Sequence, residues 1–122
     1  MRAPKMFEQE YKLCCIIWEL EPIASPRLVE ACKERMGWAF TTTYTVIKRL
    51  IDKKVLAREN AIVTTLFTKE EVQEAQIDHL VEKTFDGSVP AFVAAFTKSH
   101  SISEKEVDAI QRMIDDYRAK KK

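Results

Sequence analysis

Glycine and proline are scarce: the 122-residue chain has two of the first and four of the second. So few chain breakers cannot supply the many turns of a sandwich or barrel, and a mainly helical protein is expected. Long hydrophobic runs are missing too. No segment approaches the roughly 20 apolar residues of a membrane span, and the opening MRAPKMFEQEY lacks the apolar stretch of a secretory signal. These absences predict a soluble, cytoplasmic chain with no membrane partner.

Cysteine is sparse and irregularly placed. Cys14, Cys15 and Cys32 are odd in number, two are adjacent, and no C-x-x-C or C-x-C spacing occurs. This excludes a disulfide framework and leaves reduced thiols in an interior as the expectation. A metal site would have to recruit His79 or His100 from far along the chain. Neither a metal nor any other cofactor is therefore expected. Enzyme signatures are equally absent, with no Gly-rich phosphate loop, no H-E-x-x-H and no G-x-S-x-G. His79 is read as a solvated or interface residue, Cys14 and Cys15 as core, and the chain as no enzyme.

Charge of one sign is nearly balanced at +1 overall, but its distribution is not even. Residues 1 to 58 carry 11 Lys+Arg against 7 Asp+Glu, whereas residues 59 to 122 carry 9 against 12. The first half is thus the better partner for a polyanion.

What is present is helical periodicity. From Phe7 to Leu20 apolar residues recur at helical spacing, and Glu21-Pro22 ends the run because the residue before proline is pushed out of the α region. Ser25-Pro26 opens a second helix with serine as N-cap, running to about Met36, burying Leu28, Val29, Ala31 and Cys32, and stopping at Gly37. A third is expected from about Thr41 to Lys54. On a wheel of about 100° per residue, Val46, Ile47, Leu50 and Ile51 gather around Thr43. Opposite them fall Thr41, Thr42, Thr45, Lys48, Arg49 and Asp52, with Tyr44 on the shoulder. Short hydroxyl side chains let a helix approach a groove floor, and Lys and Arg reach phosphates or a guanine edge. Three short helices, the third with such a face, describe a helix-turn-helix; threonines on an ordinary surface helix are the plainer alternative.

Two β-branched and aromatic runs, Val55 to Glu59 and Ile62 to Phe67, flank Asn60-Ala61 and predict a hairpin, which makes the fold a winged helix. Beyond it, Thr68-Lys-Glu-Glu71 and Ser103-Glu-Lys-Glu106 are capping boxes opening helices, and Val89 to Phe96 is an apolar run expected as a short buried helix. The tail from Arg118 to Lys122 is expected to fray. These last helices cannot enclose a core alone, so pairing with a second copy is expected. The fold class is mainly α, with a winged helix-turn-helix over residues 1 to 67, carrying a two- or three-stranded wing, and a helical dimerisation arm over residues 68 to 122. The dimer stripe is assigned to Leu80, Phe85, Phe92, Phe96, Val107, Ile110, Ile114 and Tyr117.

The run EYKLCCIIWELEPIASPRLVEACKERMGWAFTTTYTVIKRLIDKKVL, followed by FTKEEVQ, LVEKTFDGSVPAFVAAF and SISEKEVDAIQRMI, resembles the penicillinase-repressor family of bacterial transcription regulators, the BlaI/MecI/CopY type. The similarity spans about residues 7 to 117, and its specific points include Ile17-Trp18-Glu19, Gly37-Trp38, Thr42, Thr45, Arg49-Leu50 and Phe85-Asp86-Gly87-Ser88. The resemblance implies a homodimer of winged helices that binds a palindromic double-stranded DNA operator and represses transcription. It also implies that Thr42, Tyr44, Thr45 and Arg49 enter the groove, with Thr41 and Lys48 beside them. A signalling protease or effector would release such a repressor. The chain departs from the family pattern in having Lys54 where a glycine is common, a short wing without glycine or basic residues after Arg58, Ala95-Phe96 at the position of a cleaved Asn-Phe bond, and no cysteine after Cys32. Two other functions remain open at this point: a winged helix that binds protein, and a repressor controlled by cysteine redox or metal chemistry.

Overall fold

The first helix, α1 (Glu8–Leu20), starts where Phe7 takes an extended conformation and Glu10, at the third helical position, accepts a hydrogen bond from the Phe7 N–H at 2.7 Å. Its apolar stripe buries Leu13, Cys14, Ile16 and Ile17, and it stops at an extended Glu21 ahead of the proline. This is a computed structural model, and it describes residues 1–121. A two-residue strand β1 (Ile23–Ala24) leads into α2 (Ser25–Met36), which ends at Gly37 with φ 69°. That left-handed conformation is one glycine adopts without a steric penalty. Ser25 is not the cap expected of it: Ala24 occupies that position, and the Ser25 N–H and hydroxyl both donate to the Ala61 carbonyl, at 2.7 and 3.1 Å. A tertiary bond to the hairpin has replaced the local one.

The third helix, α3, covers Phe40–Asp52 and closes with a Schellman arrangement. Val55 N–H donates to the Leu50 carbonyl and Lys54 N–H to the Ile51 carbonyl, both at 2.9 Å. Lys54 sits at φ 64° in that motif, so the family's customary glycine marks a left-handed position that here holds a β-carbon. The helix accordingly ends two residues short of the expected Lys54.

Strands β2 (Leu56–Glu59) and β3 (Ile62–Thr65) form the expected hairpin, with Arg58 opposite Val63 and Glu59 opposite Ile62. Asn60 and Ala61 both have positive φ, 52° and 64°, the requirement of a two-residue turn that matches strand twist. β1 pairs with β3 on its other side, giving the order β1-β3-β2. The three helices pack on this sheet around Leu13, Ile17, Leu28, Ile47, Leu50, Leu56 and Val63, all at 1% exposure or less. Two polar ties fasten α1 to the wing: Trp18 Nε1 donates to the Phe67 carbonyl at 2.9 Å, and the Glu21 carboxylate accepts from Thr65 N–H and hydroxyl.

A fourth helix, α4 (Lys69–Thr84), opens with the capping box foreseen at Thr68 and Glu71. Its first turns complete the core from outside, burying Val72 and Ala75. Gln76 pairs with both backbone groups of Met6 at 3.0 Å, and His79 Nε2 donates to the Ala3 carbonyl at 3.2 Å. Ala3 and Met6 are themselves buried. His79 is therefore half-buried and clasps the N-terminal arm, where the sequence reading had it solvated or at an interface. The chain divides into two compact units, Met1–Leu80 and a second from Val81 onward.

The second unit holds the last turn of α4, then α5 (Val89–Ser99) and α6 (Glu104–Lys120). Ser88 caps α5 by accepting from Ala91 N–H, and Ser103 and Glu106 form the expected box on α6. α5 was expected to be buried, but it buries none of its residues, and neither does α6. The apolar run is only partly covered within its own chain, at Phe92. α6 continues to Lys120 where fraying was expected from Arg118, while Lys122 lies outside the described residues.

Candidate nucleic-acid interface

One side of α3 is welded into the core, with Thr43, Val46, Ile47 and Leu50 fully covered. This leaves the opposite side free. Thr41, Tyr44, Thr45, Lys48 and Arg49 are exposed and Thr42 is half-buried, so the six residues assigned to the groove share one outward face. The first of them lies in the helix's opening turn, where unpaired N–H groups and the positive end of the helix dipole favour a phosphate.

The hydroxyls are not equivalent. Thr45 Oγ1 donates to the Thr41 carbonyl at 2.8 Å, so its proton points back along the helix and only lone pairs and a methyl group face outward. Thr45 can accept from an adenine or cytosine amino group, or touch a thymine methyl. Gln9 from α1 joins Thr41, Thr42, Thr45, Val46 and Arg49 around a shallow concavity of about 220 Å³ on this face.

Three residues beside the face were not singled out from the sequence. Phe40 is the first residue of α3 and 63% exposed, which periodicity alone assigned to no surface. Gln9 carries no motif. Glu10 is fully buried, and the available signal was its place at i, i+3, i+4 and i+7 with Leu13, Cys14 and Ile17, a carboxylate on an otherwise apolar stripe. Its Oε1 accepts from Lys53 Nζ at 2.8 Å. Its Oε2 has no hydrogen-bond partner and faces Arg49 Nη1 at 3.9 Å.

The wing offers less charge. Arg58 is exposed on β2, and the turn residues that follow are neutral. The stripe assigned to dimerisation is accessible in the single chain: Leu80, Phe96, Val107, Ile110, Ile114 and Tyr117 are 42 to 62% exposed, while Phe85 and Phe92 are half-buried against each other, ring centroids 5.7 Å apart. The Ala95-Phe96 bond lies inside α5 with both residues exposed.

The cysteines are set in the core more than at its surface. Burial, with smaller contributions from Cys15, Glu10 and Glu21, pushes the Cys14 thiol up to about 12, which keeps it protonated and unreactive at neutral pH. Burial also raises Cys32, against the Thr43 hydroxyl and the Arg35 charge. Cys15 is half-buried. Among the described residues no three His, Cys, Asp or Glu side chains converge on a point that could hold a metal ion.

This architecture has known counterparts. It resembles the solution structure of the DNA-binding domain of the repressor BlaI, with a TM-score of 0.50 and 21% identity over 58% of this chain and 93% of that one. It also resembles the solution structure of the Bacillus licheniformis BlaI monomeric form in complex with the blaP half-operator, with a TM-score of 0.50 and 20% identity over 57% of this chain and 90% of that one. Along the sequence, the penicillinase repressor of Bacillus licheniformis is 18% identical over 125 residues, spanning 99% of this chain and 98% of its own length. The profile of the penicillinase repressor family matches residues 7–116, which takes in both the winged helix and the C-terminal helices. The chain belongs to the penicillinase repressor family.

Proposed function

We propose that this protein is a DNA-binding transcriptional repressor, not an enzyme, that works in the cytoplasm as a homodimer on a palindromic operator. The observation that carries the reading is the division of α3 into a buried face centred on Thr43 and an outward face of short hydroxyls followed by Lys48 and Arg49. A helix anchored on one side and stocked with groove-sized polar groups on the other is the geometry of a recognition helix. In that role Thr42, Tyr44 and Thr45 approach base edges, Arg49 makes a bidentate contact to guanine, and Thr41 and Lys48 hold phosphates. Family membership and the description of BlaI in complex with a half-operator support the same class of partner. No helix among the described residues is long and apolar enough to cross a membrane, in keeping with a cytoplasmic repressor.

The dimer rests on the exposed stripe of α4, α5 and α6. Val107, Ile110, Ile114 and Tyr117 lie on one side of α6 with about half of their surface in water, an unusual cost for a soluble helix unless another surface covers them. Functionally the chain divides at residues 67 and 68, winged helix before and dimerisation arm after; α4 then serves both, its first turns tied to the N-terminal arm.

Selection of bound sequences from a random duplex pool tests the whole reading. A palindromic consensus with half-sites about one helical turn apart is expected; recovery of no enriched sequence would reject it. Binding should also weaken steeply as salt rises, because phosphate contacts release counterions.

A further inference from the structure

Glu10 is where the charge balance of the first unit is incomplete. Its carboxylate is fully covered, and a covered carboxylate needs both oxygens satisfied. Oε1 is satisfied twice, by Phe7 N–H at 2.7 Å and Lys53 Nζ at 2.8 Å. Lys53 is committed to the first oxygen: its ammonium also donates to the Lys5 carbonyl at 3.2 Å, sits 4.8 Å from the centre of the Phe7 ring, and makes no hydrogen bond to Oε2. Oε2 is left without a hydrogen bond, and Arg49 Nη1 faces it at 3.9 Å. That separation is an ion pair but about 1 Å longer than a charge-assisted hydrogen bond.

We infer that Glu10 is the positioning residue for Arg49: it anchors one edge of the guanidinium so that the other edge is presented to a guanine. This rests on the reading of α3 as a recognition helix. Arg49 is 44% exposed and emerges on the outward face, so its position allows both partners. A guanidinium carries five donors in a rigid plane and can hold a carboxylate on one side and a base on the other. Fixing that plane removes rotational freedom that binding would otherwise have to remove. Glu10 itself is too deep to touch DNA, and it acts only through Arg49.

The test compares two affinities of the full-length protein, for the duplex most enriched from a random pool and for a scrambled duplex of the same composition. Glu10→Gln keeps the shape and the acceptor for Phe7 N–H and removes the charge. We expect the ratio of the two affinities to fall roughly tenfold, within the range one base contact commands. Affinity for the scrambled duplex should stay level or rise, because one negative charge is gone. In an Arg49→Ala background the same substitution should leave the ratio unchanged. A merely structural role would lower both affinities together, and that result, or a full ratio in Glu10→Gln, overturns the inference. If the variant does not fold, NMR of the Arg49 Nε–H group in the free wild-type protein decides: an ordered guanidinium is expected, and a freely rotating one overturns the inference. A wild-type protein that prefers no duplex at all would instead defeat the repressor reading, so the two failures are distinct.

Discussion

The two compact units of this chain solve the same problem in opposite ways. In the first, three helices, a small sheet, the N-terminal arm and the start of α4 enclose a core in which Leu13, Ile17, Leu28, Ile47 and Leu50 have no contact with water. In the second, α5 and α6 cover none of their own residues completely. Composition does not separate them, since α5 is the most apolar helix in the chain by sequence. Geometry does: a sheet gives helices a common surface to close on, whereas two helices and a helix end leave faces uncovered. The lesson is that the first unit encloses its own core, whereas the second, in the proposed dimer, is completed by a second copy.

Five changes break or sharpen that contrast. The largest effect is expected from Ile110→Glu, which would place a carboxylate in each half of the dimer interface; burying unpaired charge costs several kcal/mol, so dimer affinity should drop by about a thousandfold or more. Sedimentation equilibrium would register monomers, and an intact dimer would refute the stripe. If the winged helix also melted, the independence of the first unit would be wrong. Next, Leu13→Ala should destabilise the first unit by about 2–5 kcal/mol, read as a lower urea midpoint, while the dimerisation constant stays where it was.

Arg49→Ala should cost about 1–3 kcal/mol of operator discrimination, whereas Lys48→Ala should weaken operator and random duplex about equally and flatten the salt dependence. Fluorescence anisotropy on both duplexes separates the two, and an unchanged ratio in the arginine variant rejects its assignment. The smallest effect is expected at Lys54, held at φ 64° at the end of α3. Lys54→Gly should raise the stability of the first unit by up to about 1 kcal/mol, because left-handed conformation costs a β-carbon residue about that much and glycine nothing. A lowered thermal midpoint would show that the lysine side chain contributes something the backbone does not.

Much of this architecture was legible in the sequence because local signals and tertiary demands agreed. The wheel around Thr43 separated core from surface on α3, and Gly37, Thr68 and Ser103 marked helix ends where the structure has them. Legibility failed where a distant partner outbid a local one. Ser25 gave its hydroxyl to Ala61, 36 residues away. Ala3 and Met6 entered the core although nothing in MRAPKMF is periodic. Glu10 was hidden for a related reason, since a charged residue in an apolar stripe is assigned to the surface unless its counter-ions are known, and Lys53 lies 43 residues downstream.

By itself, then, the sequence determined the helices, the caps at Gly37, Thr68 and Ser103, the two-residue hairpin turn and the face of α3 turned toward solvent, because each depends on the spacing and stereochemistry of neighbouring residues. Only the tertiary structure decided that Glu10 would be sealed beneath Arg49 and Lys53, that α4 would clasp the N-terminal arm, and that α5 would keep most of its apolar residues exposed. Those outcomes depend on which surfaces meet in space, and burial sets the strength of a charge pair or an apolar contact only after the surrounding chain has excluded water.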